Sequence, residues 1–319
     1  MPRLSILIPC VGGAAEFDAT LVSVLQHRPD DCEVLVIHTE PYSDPYDLGA
    51  EVQFLRSARD AKRTELINEG LAAATGEIVH LLGCGAEATE AWAQPALDRF
   101  HDPEVAAVAP LVMDTTGGKL LAAGVRWTLG GSRRIVADQR IKLGGSARLR
   151  AGILGPTLEA GFFRRDALQA LNGFDTRMDE RLADVDLALS LAALDLQTVC
   201  EPASRVLLSS TQADACPFGF TSGWSAERLF WRHAAPRGLL ASLAFHPLTL
   251  IGDALRTRSL AGTLAAGLGR LAAWLEIGSS ARYQKRLAVA RHRLAETNEP
   301  TTIRLAEPAK VAIAKRRAA

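Results

Sequence analysis

The sequence predicts an α/β protein with a Rossmann-like, mostly parallel sheet flanked by helices, followed by a C-terminal helical extension. Two observations lead to this prediction. Up to about residue 110, short apolar runs rich in β-branched residues alternate with segments of helical spacing, which is the pattern of βαβ units. From about residue 213, leucine, alanine and arginine recur at helical spacing and no strand pattern follows.

Each predicted element has its own signal. The predicted strands are apolar runs at Leu4–Ile8, Glu33–Ile37, Val52–Leu55, Glu77–Leu82 and Val105–Leu111. The helical segments between them are Asp18–Leu25, Ala61–Ala74 and Glu90–Phe100. Gly76 is the glycine stop signal for the second of these helices. Because such sheets bind ligands at the carboxyl ends of their strands, we expect a site at that edge.

The second half of the chain changes character twice. Glycine pairs and basic residues punctuate residues 112–155, which predicts hairpins or a long loop over the sheet edge. A strand-and-helix pattern returns at Leu158–Leu171, followed by a helix from about Val185 to Leu194 and a strand near Thr198–Glu201. We therefore expect a sheet domain at residues 1–212, a helical extension at 213–297 and a disordered basic tail at 298–319.

The composition fits a folded cytoplasmic protein. Of the 319 residues, 48% are hydrophobic and 23% are charged, which excludes wholesale disorder and a multi-pass membrane protein. Lysine plus arginine equals aspartate plus glutamate, 36 to 36, so no net charge favours nucleic acid as a partner. The five cysteines are widely spaced without a CxxC motif, which argues against a zinc site or a disulfide framework and favours a reducing compartment.

The apolar run at the N-terminus is too short for a signal peptide and has no small-residue cleavage site. No stretch reaches the roughly 18 apolar residues of a spanning helix. The nearest approach, Gly238 to Ile251, is broken by His246 and Pro247. We therefore expect a chain that is neither exported nor inserted across a bilayer.

Short motifs occur in a fixed order along residues 3–210. They are Leu4–Pro9, Glu33–Ile37 with His38-Thr39-Glu40, Asn68-Glu69-Gly70, Ala74–Ile78, Ala160–Arg165, Gly173-Phe174-Asp175, Asp184–Leu187 and Glu201-Pro202-Ala203. Together they resemble the family 2 glycosyltransferases of GT-A fold. The resemblance implies inverting transfer of a sugar from a nucleotide-diphospho-sugar to a hydroxyl of a glycan or lipid-linked acceptor.

The sequence departs from the family at the metal-binding D-x-D motif. Where D-x-D should follow Leu82, the chain reads Gly83-Cys84-Gly85, and the family pattern resumes at Ala86. The family's Mg²⁺ or Mn²⁺ thus lacks its carboxylates, and a thiol suits these hard ions poorly. We assign no metal ligand. Other family positions are also changed, namely His38-Thr39 for "DD", Ala183 for the glutamate of "ED" and Ser190 for an arginine.

The catalytic candidates are Asp184 and Asp186, which the resemblance places at the family's base motif. Inverting transfer needs such a base and a cation for the leaving diphosphate. Each aspartate also has a simpler interpretation, since Asp184 suits an N-cap of the next helix and Asp186 a first-turn acid facing the helix dipole.

Two alternatives remain for the cation. Arg63 or the arginines of residues 133–150 could replace the metal, because guanidinium binds a diphosphate bidentately. Otherwise the domain binds nucleotide sugars or acts as a scaffold without turnover. The donor-binding candidates are Pro9, Cys10, His38, Glu40, Arg63, Asn68, Gly83 and Gly85.

The C-terminal region combines leucine-rich helical faces with many arginines between Pro236 and Leu294. Such helices can lie on a membrane surface or against a lipid-linked acceptor. Alternatively, their apolar stripes pack on the sheet domain and leave a solvated arginine face.

Overall fold

A mixed sheet lies at the centre of the molecule. The computed structural model describes residues 3–11, 14–42, 44–138, 152–208, 219–234, 238–257, 259–276 and 279–298. Within these residues nine strands join the sheet, in the order β3-β2-β1-β4-β10-β6-β11-β5, with β7 beside β6. Their bounds are β1 (Leu4–Cys10), β2 (Cys32–His38), β3 (Val52–Arg56), β4 (Ile78–Leu82), β5 (Ala86–Ala88), β6 (Val105–Asp114), β7 (Leu120–Ala122), β10 (Ala160–Arg164) and β11 (Gln197–Leu208). A separate antiparallel pair consists of β8 (Val125–Trp127) and β9 (Arg133–Ile135).

Helices cover both faces of this sheet. They are α1 (Ala14–His27), α2 (Arg63–Ala73), α3 (Ala93–Arg99), α4 (Arg165–Ala170), α5 (Glu180–Ala193), α6 (Phe220–Ala234), α7 (Leu239–Thr257), α8 (Leu260–Trp274) and α9 (Ser279–Asn298). A short 3₁₀ helix spans Leu48–Ala50. The predicted α/β fold class with a helical C-terminal region is therefore confirmed.

The strand directions bring six carboxyl ends to one edge, and those of β1, β4, β6 and β11 are central to the site. β1, β2, β3 and β4 pair in parallel. β10 runs antiparallel between β4 and β6, and β11 is parallel to β6. Since β10 reverses direction once on each side, β1, β4, β6 and β11 all end at the same edge. This is the edge at which the sequence predicted a site.

Two apolar cores sit on opposite faces of the sheet. One contains Leu21 and Val24 of α1 with the fully buried Trp92. The other contains residues of α2, α4 and α5, and also Tyr283 and Leu287 of α9. Every residue of β1 and β4 is buried, as expected for strands covered on both faces. The helix α9 is therefore part of the sheet domain's core.

The helix α5 begins five residues earlier than predicted. Asp179 is its N-cap and accepts a hydrogen bond from the backbone N–H of Arg181 at 3.0 Å. Asp184 and Asp186 consequently lie beyond the first turn. Both simpler interpretations of these aspartates, as N-cap and as first-turn acid, are wrong, because Asp179 and Glu180 hold those positions.

The helices α6 and α8 pack backbone to backbone. A Cβ added at Gly223 of α6 would lie 2.0 Å from the carbonyl oxygen of Ala266, and one at Gly269 of α8 would lie 2.0 Å from that of Phe220. Any larger residue would push the helices apart. Glycine is therefore required at both crossing points.

A polar cluster holds α6, α7 and α8 together. Glu227 of α6 accepts hydrogen bonds from Arg270 and Trp274 of α8 at 3.1 and 3.0 Å, and lies 3.2 Å from His246 of α7. Arg270 also donates to Asp253 of α7 at 3.0 Å. Charged groups therefore lie between the helices beside aromatic contacts such as that of Trp231 with Trp274. In the part of the chain that the structure describes, every helix falls short of the length and apolarity that a bilayer-crossing segment needs.

Candidate functional site

A cavity of about 570 Å³ opens at the shared carboxyl edge of β1, β4, β6 and β11. Its walls come from the ends of these strands, the N-terminal turns of α2, α5 and α6, and the β7–β9 region. The charged or polar side chains that line it are Lys62, Arg63, Arg133, Thr157, Glu159, Asp179, Glu180, Arg181, Asp184, Thr221 and Ser222.

One buried ion pair joins Arg63 to Glu159. Both terminal nitrogens of Arg63 donate to the carboxylate of Glu159 at 3.0 Å, and one donates also to the carbonyl oxygen of Leu158. The backbone N–H of Arg63 donates to Glu180 at 2.7 Å. Burial acts to raise the pKa of Glu159, but Arg63 and then Arg133 outweigh it and hold that pKa below its usual range.

This ion pair occupies the space beside the missing D-x-D motif. A Cβ at Gly83 would lie 2.3 Å from a terminal nitrogen of Arg63 and 2.8 Å from a carboxylate oxygen of Glu159. The backbone N–H of Gly83 donates to the carbonyl oxygen of Glu159 at 2.8 Å. Gly85 has a φ of 87°, a conformation that strains an L residue. An aspartate at Gly83 would therefore have to displace the Arg63–Glu159 pair, and one at Gly85 would be strained.

A second buried pair joins Arg133 of β9 to Asp184 of α5. Nε of Arg133 lies 3.0 Å from Oδ1, and a terminal nitrogen lies 2.6 Å from Oδ2. The aspartate is buried and also accepts from the backbone N–H of Val185 at 2.8 Å. Burial raises the pKa of Asp184, and Arg133 offsets only part of that increase. The cavity therefore contains a carboxylate with raised proton affinity whose partner is an arginine.

The N-terminal turns of α5 and α6 form the rim. The hydroxyl of Ser222 donates to Asp179 at 2.6 Å, and Arg181 contacts both residues. Burial acts to raise the pKa of Asp179, but hydrogen bonds from Arg181 and Ser222 lower it overall. At the rim, ionic and hydrogen-bonded contacts thus connect the N-terminal turns of α5 and α6.

The cavity does not fit a divalent metal. Its carboxylates are paired with arginines or backbone N–H groups, as described for Glu159 and Asp184. Among the described residues, no group of three or more His, Cys, Asp and Glu side chains is arranged to hold a metal ion. Gly83-Cys84-Gly85 offers no carboxylate. The Mg²⁺ or Mn²⁺ that the family resemblance implies has no ligand set in the described residues.

Of the candidate residues, the structure brings Pro9, Arg63 and Asp184 together in the cavity lining. The lining described does not include Cys10, His38, Glu40, Asn68, Gly83, Gly85 or Asp186.

Three of these candidates, His38, Glu40 and Asn68, form contacts outside the described cavity lining. His38 and Glu40 follow β2, where Nδ1 of His38 donates to the carbonyl oxygen of Glu40 at 2.8 Å, and the carboxylate of Glu40 lies 3.4 Å from Arg59. The side chain of Asn68 bonds to both the backbone N–H and the carbonyl oxygen of Phe174. Asn68 thus anchors the turn after α4.

Asp186 lies in a cluster that joins three helices. It accepts a hydrogen bond from Arg232 of α6 at 2.8 Å. The guanidinium carbon of Arg232 lies 5.1 Å from the ring centre of Tyr283 on α9, and the Tyr283 hydroxyl bonds to Ser190 of α5 at 3.2 Å. Burial raises the pKa of Asp186, with partial compensation from Arg232.

Sequence reasoning missed Glu159 and Glu180 and named Arg133 only within a group. A search for a carboxylate just before the Ala160–Arg165 motif would have found Glu159. Arg134 of that group lies beside Arg133 in β9, and the group's basic residues between 139 and 150 lie outside the described residues.

The chain has a fold of the GT-A glycosyltransferase type. The chain is similar to the solved structure of GalNAc-T7 with UDP, GalNAc and Mn²⁺, with a TM-score of 0.53 at 15% identity, over 72% of this chain and 47% of that chain. It is also similar to the mannosyltransferase PcManGT from Pyrobaculum calidifontis in complex with GDP-Man and Mn²⁺. That TM-score is 0.53 at 17% identity, over 93% of this chain and 88% of that chain.

The sequence is similar to one curated enzyme in two organisms. It is 28% identical to human polypeptide N-acetylgalactosaminyltransferase 12 over 202 residues, which is 56% of this chain and 34% of that protein. The mouse protein of the same name is 31% identical over 123 residues, 35% of this chain and 21% of that protein. The chain thus spans a third or less of the length of these relatives. No protein-family model matches it.

Proposed function

We propose that the chain is a family 2-type inverting glycosyltransferase that works without a divalent metal. It would move a sugar from a nucleotide-diphospho-sugar to a hydroxyl of a glycan or lipid-linked acceptor. The observation that carries this proposal is the buried pair of Arg133 and Asp184 in a cavity at the carboxyl edge of the sheet. A cation for the diphosphate and a carboxylate for the acceptor proton stand next to each other there.

The two cavity arginines take the place of the metal in this proposal. Arg63 and Arg133 each present a planar guanidinium that can bind phosphate oxygens bidentately. A diphosphate that draws Arg133 away leaves Asp184 buried without its cation, which raises the proton affinity of that carboxylate further. Donor binding would thereby activate the base.

The chemical step then balances in one displacement. The acceptor oxygen forms a bond to the anomeric carbon while the bond from that carbon to the diphosphate oxygen breaks. Asp184 takes the acceptor proton, and the nucleoside diphosphate leaves with the bonding electron pair, its charge held by the arginines. Asp186 is the second candidate for the base.

The donor's nucleoside is proposed to lie toward the ends of β1 and β2. Pro9 and Cys10 end the first strand, and His38 and Glu40 follow the second. In this proposal Asn68, Gly83 and Gly85 do not contact the donor. Their own contacts position the backbone around the cavity and so help to determine its shape.

The proposed setting is the cytoplasm. The sequence supports this setting, because its five cysteines are widely spaced and form no CxxC motif, which suits a reducing compartment.

Thermal denaturation with nucleotides tests donor binding. We expect UDP, GDP or dTDP, or one of their sugars, to stabilise the fold equally with Mn²⁺ and with a chelator. At 100 times the dissociation constant the gain is about 2.7 kcal/mol. Stabilisation that vanishes with the chelator would show that a metal is required and would overturn the metal-independent proposal.

Turnover of two matched variants tests the base. Asp184→Asn should lose about 10²–10⁴-fold in turnover and keep donor binding. Asp186→Asn should lose less, because Asp186 bonds to Arg232 outside the described cavity lining. If folded Asp184→Asn turns over normally and Asp186→Asn does not, the base is Asp186.

One observation favours a second function, a nucleotide-sugar-binding protein without turnover. Arg63 and Arg133 are both already neutralised by carboxylates. This function predicts that the wild-type chain binds the donor and releases no nucleoside diphosphate with any glycan or lipid-linked acceptor.

A further inference from the structure

The helices α7 and α8 turn apolar side chains outward. Leu240, Leu260 and Leu275 are 84%, 87% and 90% exposed. Other large apolar residues of the two helices are also exposed, namely Leu239, Leu243, Phe245, Leu248, Ile251, Leu255, Leu264, Leu268, Leu271 and Trp274. We call this surface the leucine face.

The leucine face is one stripe on each helix. Leu248, Ile251 and Leu255 recur on α7 at intervals of three and four residues, which puts them on one side. The exposed leucines of α8 follow the same spacing. From Gly238 to Leu275, every described residue that is exposed is uncharged. A helix surface in contact with water normally carries charges instead.

The polar side chains of the pair face the protein. Ser242 and Arg270 are buried, and Asp253 pairs with Arg270 beneath the helices. Glu227 holds both helices from α6. Turning the leucines inward would break this cluster and leave buried charges without partners. The cluster therefore holds the helices in this orientation, and the described residues leave the leucine face exposed.

We infer that α7 and α8 dock on an anionic lipid membrane, with the leucine face at the boundary between headgroups and acyl chains. Apolar helix faces of this kind lie in that boundary without spanning. The sequence around the helix ends is basic, with Arg237 before α7 and Arg256 and Arg258 at its end. Each basic residue near anionic lipid adds about 1 kcal/mol of attraction. Trp274 ends α8 with its side chain half exposed, and tryptophan favours the headgroup level.

The charged residues near the leucine face favour an anionic membrane over a second copy of the chain as its binding partner. A second copy would present the same uncharged face, and its sequence would have the same arginines near the ends of α7. No described residue exposed on the pair is a carboxylate, so nothing described there would neutralise the arginines of a partner copy. Anionic headgroups supply that charge and the hydrocarbon together.

Vesicle flotation of the full chain tests the inference. At low salt we expect the protein to float with vesicles of equal parts phosphatidylglycerol and phosphatidylcholine, and to bind pure phosphatidylcholine vesicles more weakly. Leu248→Glu and Leu264→Glu should each lower the vesicle–water partition coefficient roughly tenfold or more. In each variant a leucine that inserts into the hydrocarbon of the bilayer is replaced by a charged side chain. Both sites are exposed, so the melting temperature should stay unchanged.

Val289→Glu is the matched control. Val289 is 47% exposed on α9, outside the leucine face, and its variant should float like the wild type. Failure of the wild type to bind anionic vesicles at low salt would overturn the inference, as would equal losses in all three variants. A dimer in light scattering that Leu264→Glu converts to monomers, without vesicle binding, would assign the face to a second copy. None of these outcomes depends on sugar transfer.

Discussion

The sheet domain and the α7–α8 pair distribute charged and apolar residues in opposite ways. In the sheet domain, apolar residues fill two cores, and the buried pairs Arg63–Glu159 and Arg133–Asp184 line a cavity. In the helix pair, an ion-pair cluster fills the space underneath, and leucines face outward. The difference teaches that the sheet domain turns its apolar residues inward, whereas the pair presents a surface suited to an apolar environment.

The largest expected effect comes from breaking the cavity's ion pair. Arg63→Met should lower the free energy of unfolding by about 3–5 kcal/mol, because Glu159 stays buried without its cation. Urea unfolding measures this. Arg59→Met is the control, since Arg59 is exposed and its contact with Glu40 should contribute less than about 1 kcal/mol. Equal effects of both variants would contradict the assignment of Arg63 to a buried pair.

The same substitution in the two regions sharpens the comparison. Leu66→Ala in α2 should cost about 2–5 kcal/mol, because Leu66 is fully buried. Leu264→Ala in α8 should change stability by less than about 0.5 kcal/mol, because Leu264 is 69% exposed. Chemical denaturation of both variants in detergent-free buffer gives the two values. A cost above about 2 kcal/mol for Leu264→Ala would mean that the leucine face is covered within the chain.

Removing the charge beneath the helix pair should have a smaller effect. Burial acts to raise the pKa of Glu227, but hydrogen bonds from His246 and Trp274, with Arg270 nearby, hold it at about 2. Glu227→Gln should cost about 1.5–3 kcal/mol, since it weakens hydrogen bonds between charged groups. Hydrogen exchange should increase in α7 and α8 more than in α2. Glu296→Gln, at an exposed site on α9, should leave both measurements unchanged.

The smallest expected effect is a pH dependence of the free energy of unfolding that comes from His80 in the sheet domain. His80 is fully buried, accepts a hydrogen bond from Trp92 and lies 3.1 Å from the carbonyl oxygen of Gly161. Burial lowers the pKa of His80 to about 3. Its unfolded pKa is about 6.5, so only the unfolded state takes up the proton between these values. The contribution of neutral His80 to the free energy of unfolding is therefore complete above about pH 6.5. Below that pH, the free energy of unfolding falls by at most about 1.4 kcal/mol per pH unit.

Unfolding in urea at pH 7, 6 and 5 measures that slope. His80→Gln should flatten it, because glutamine does not titrate. An unchanged slope in the variant would assign the acid sensitivity to other groups.

The fold class was predictable because its signal is local. The apolar runs of Leu4–Ile8 and Glu33–Ile37 are visible in a few residues, and both became buried parallel strands. The antiparallel position of β10 was not predictable, because pairing with β4 and β6 joins residues far apart in the chain. The start of α5 was missed because the cap at Asp179 precedes the apolar periodicity.

The site was predictable only in part for the same reason. The position of Asp184 followed from a motif, but its partner Arg133 is 51 residues away, and no local pattern links them. Similarly, Gly83 marked the missing D-x-D, while the ion pair that fills its space comes from α2 and the residue before β10.

The C-terminal helices divide between the two interpretations of the sequence. In α9, Tyr283 and Leu287 face the core while Arg282 and Lys285 are exposed, as the packing alternative predicted. In α8, Arg270 is buried and the leucines are exposed. Periodicity identifies an apolar stripe in both helices, but it contains no information about which side meets the protein.

The glycine crossing of α6 and α8 has a mechanical consequence. Gly269 meets the backbone at Phe220, and the residues from Gly219 to Ser222 form part of the cavity wall. With no side chain between the helices, α8 cannot shift without moving that wall. The leucines of α8 are therefore connected to the cavity wall through direct contact between helix backbones. On a membrane bound at the leucine face, the distance from the bilayer to Asp184 would depend on this contact and not on a flexible linker.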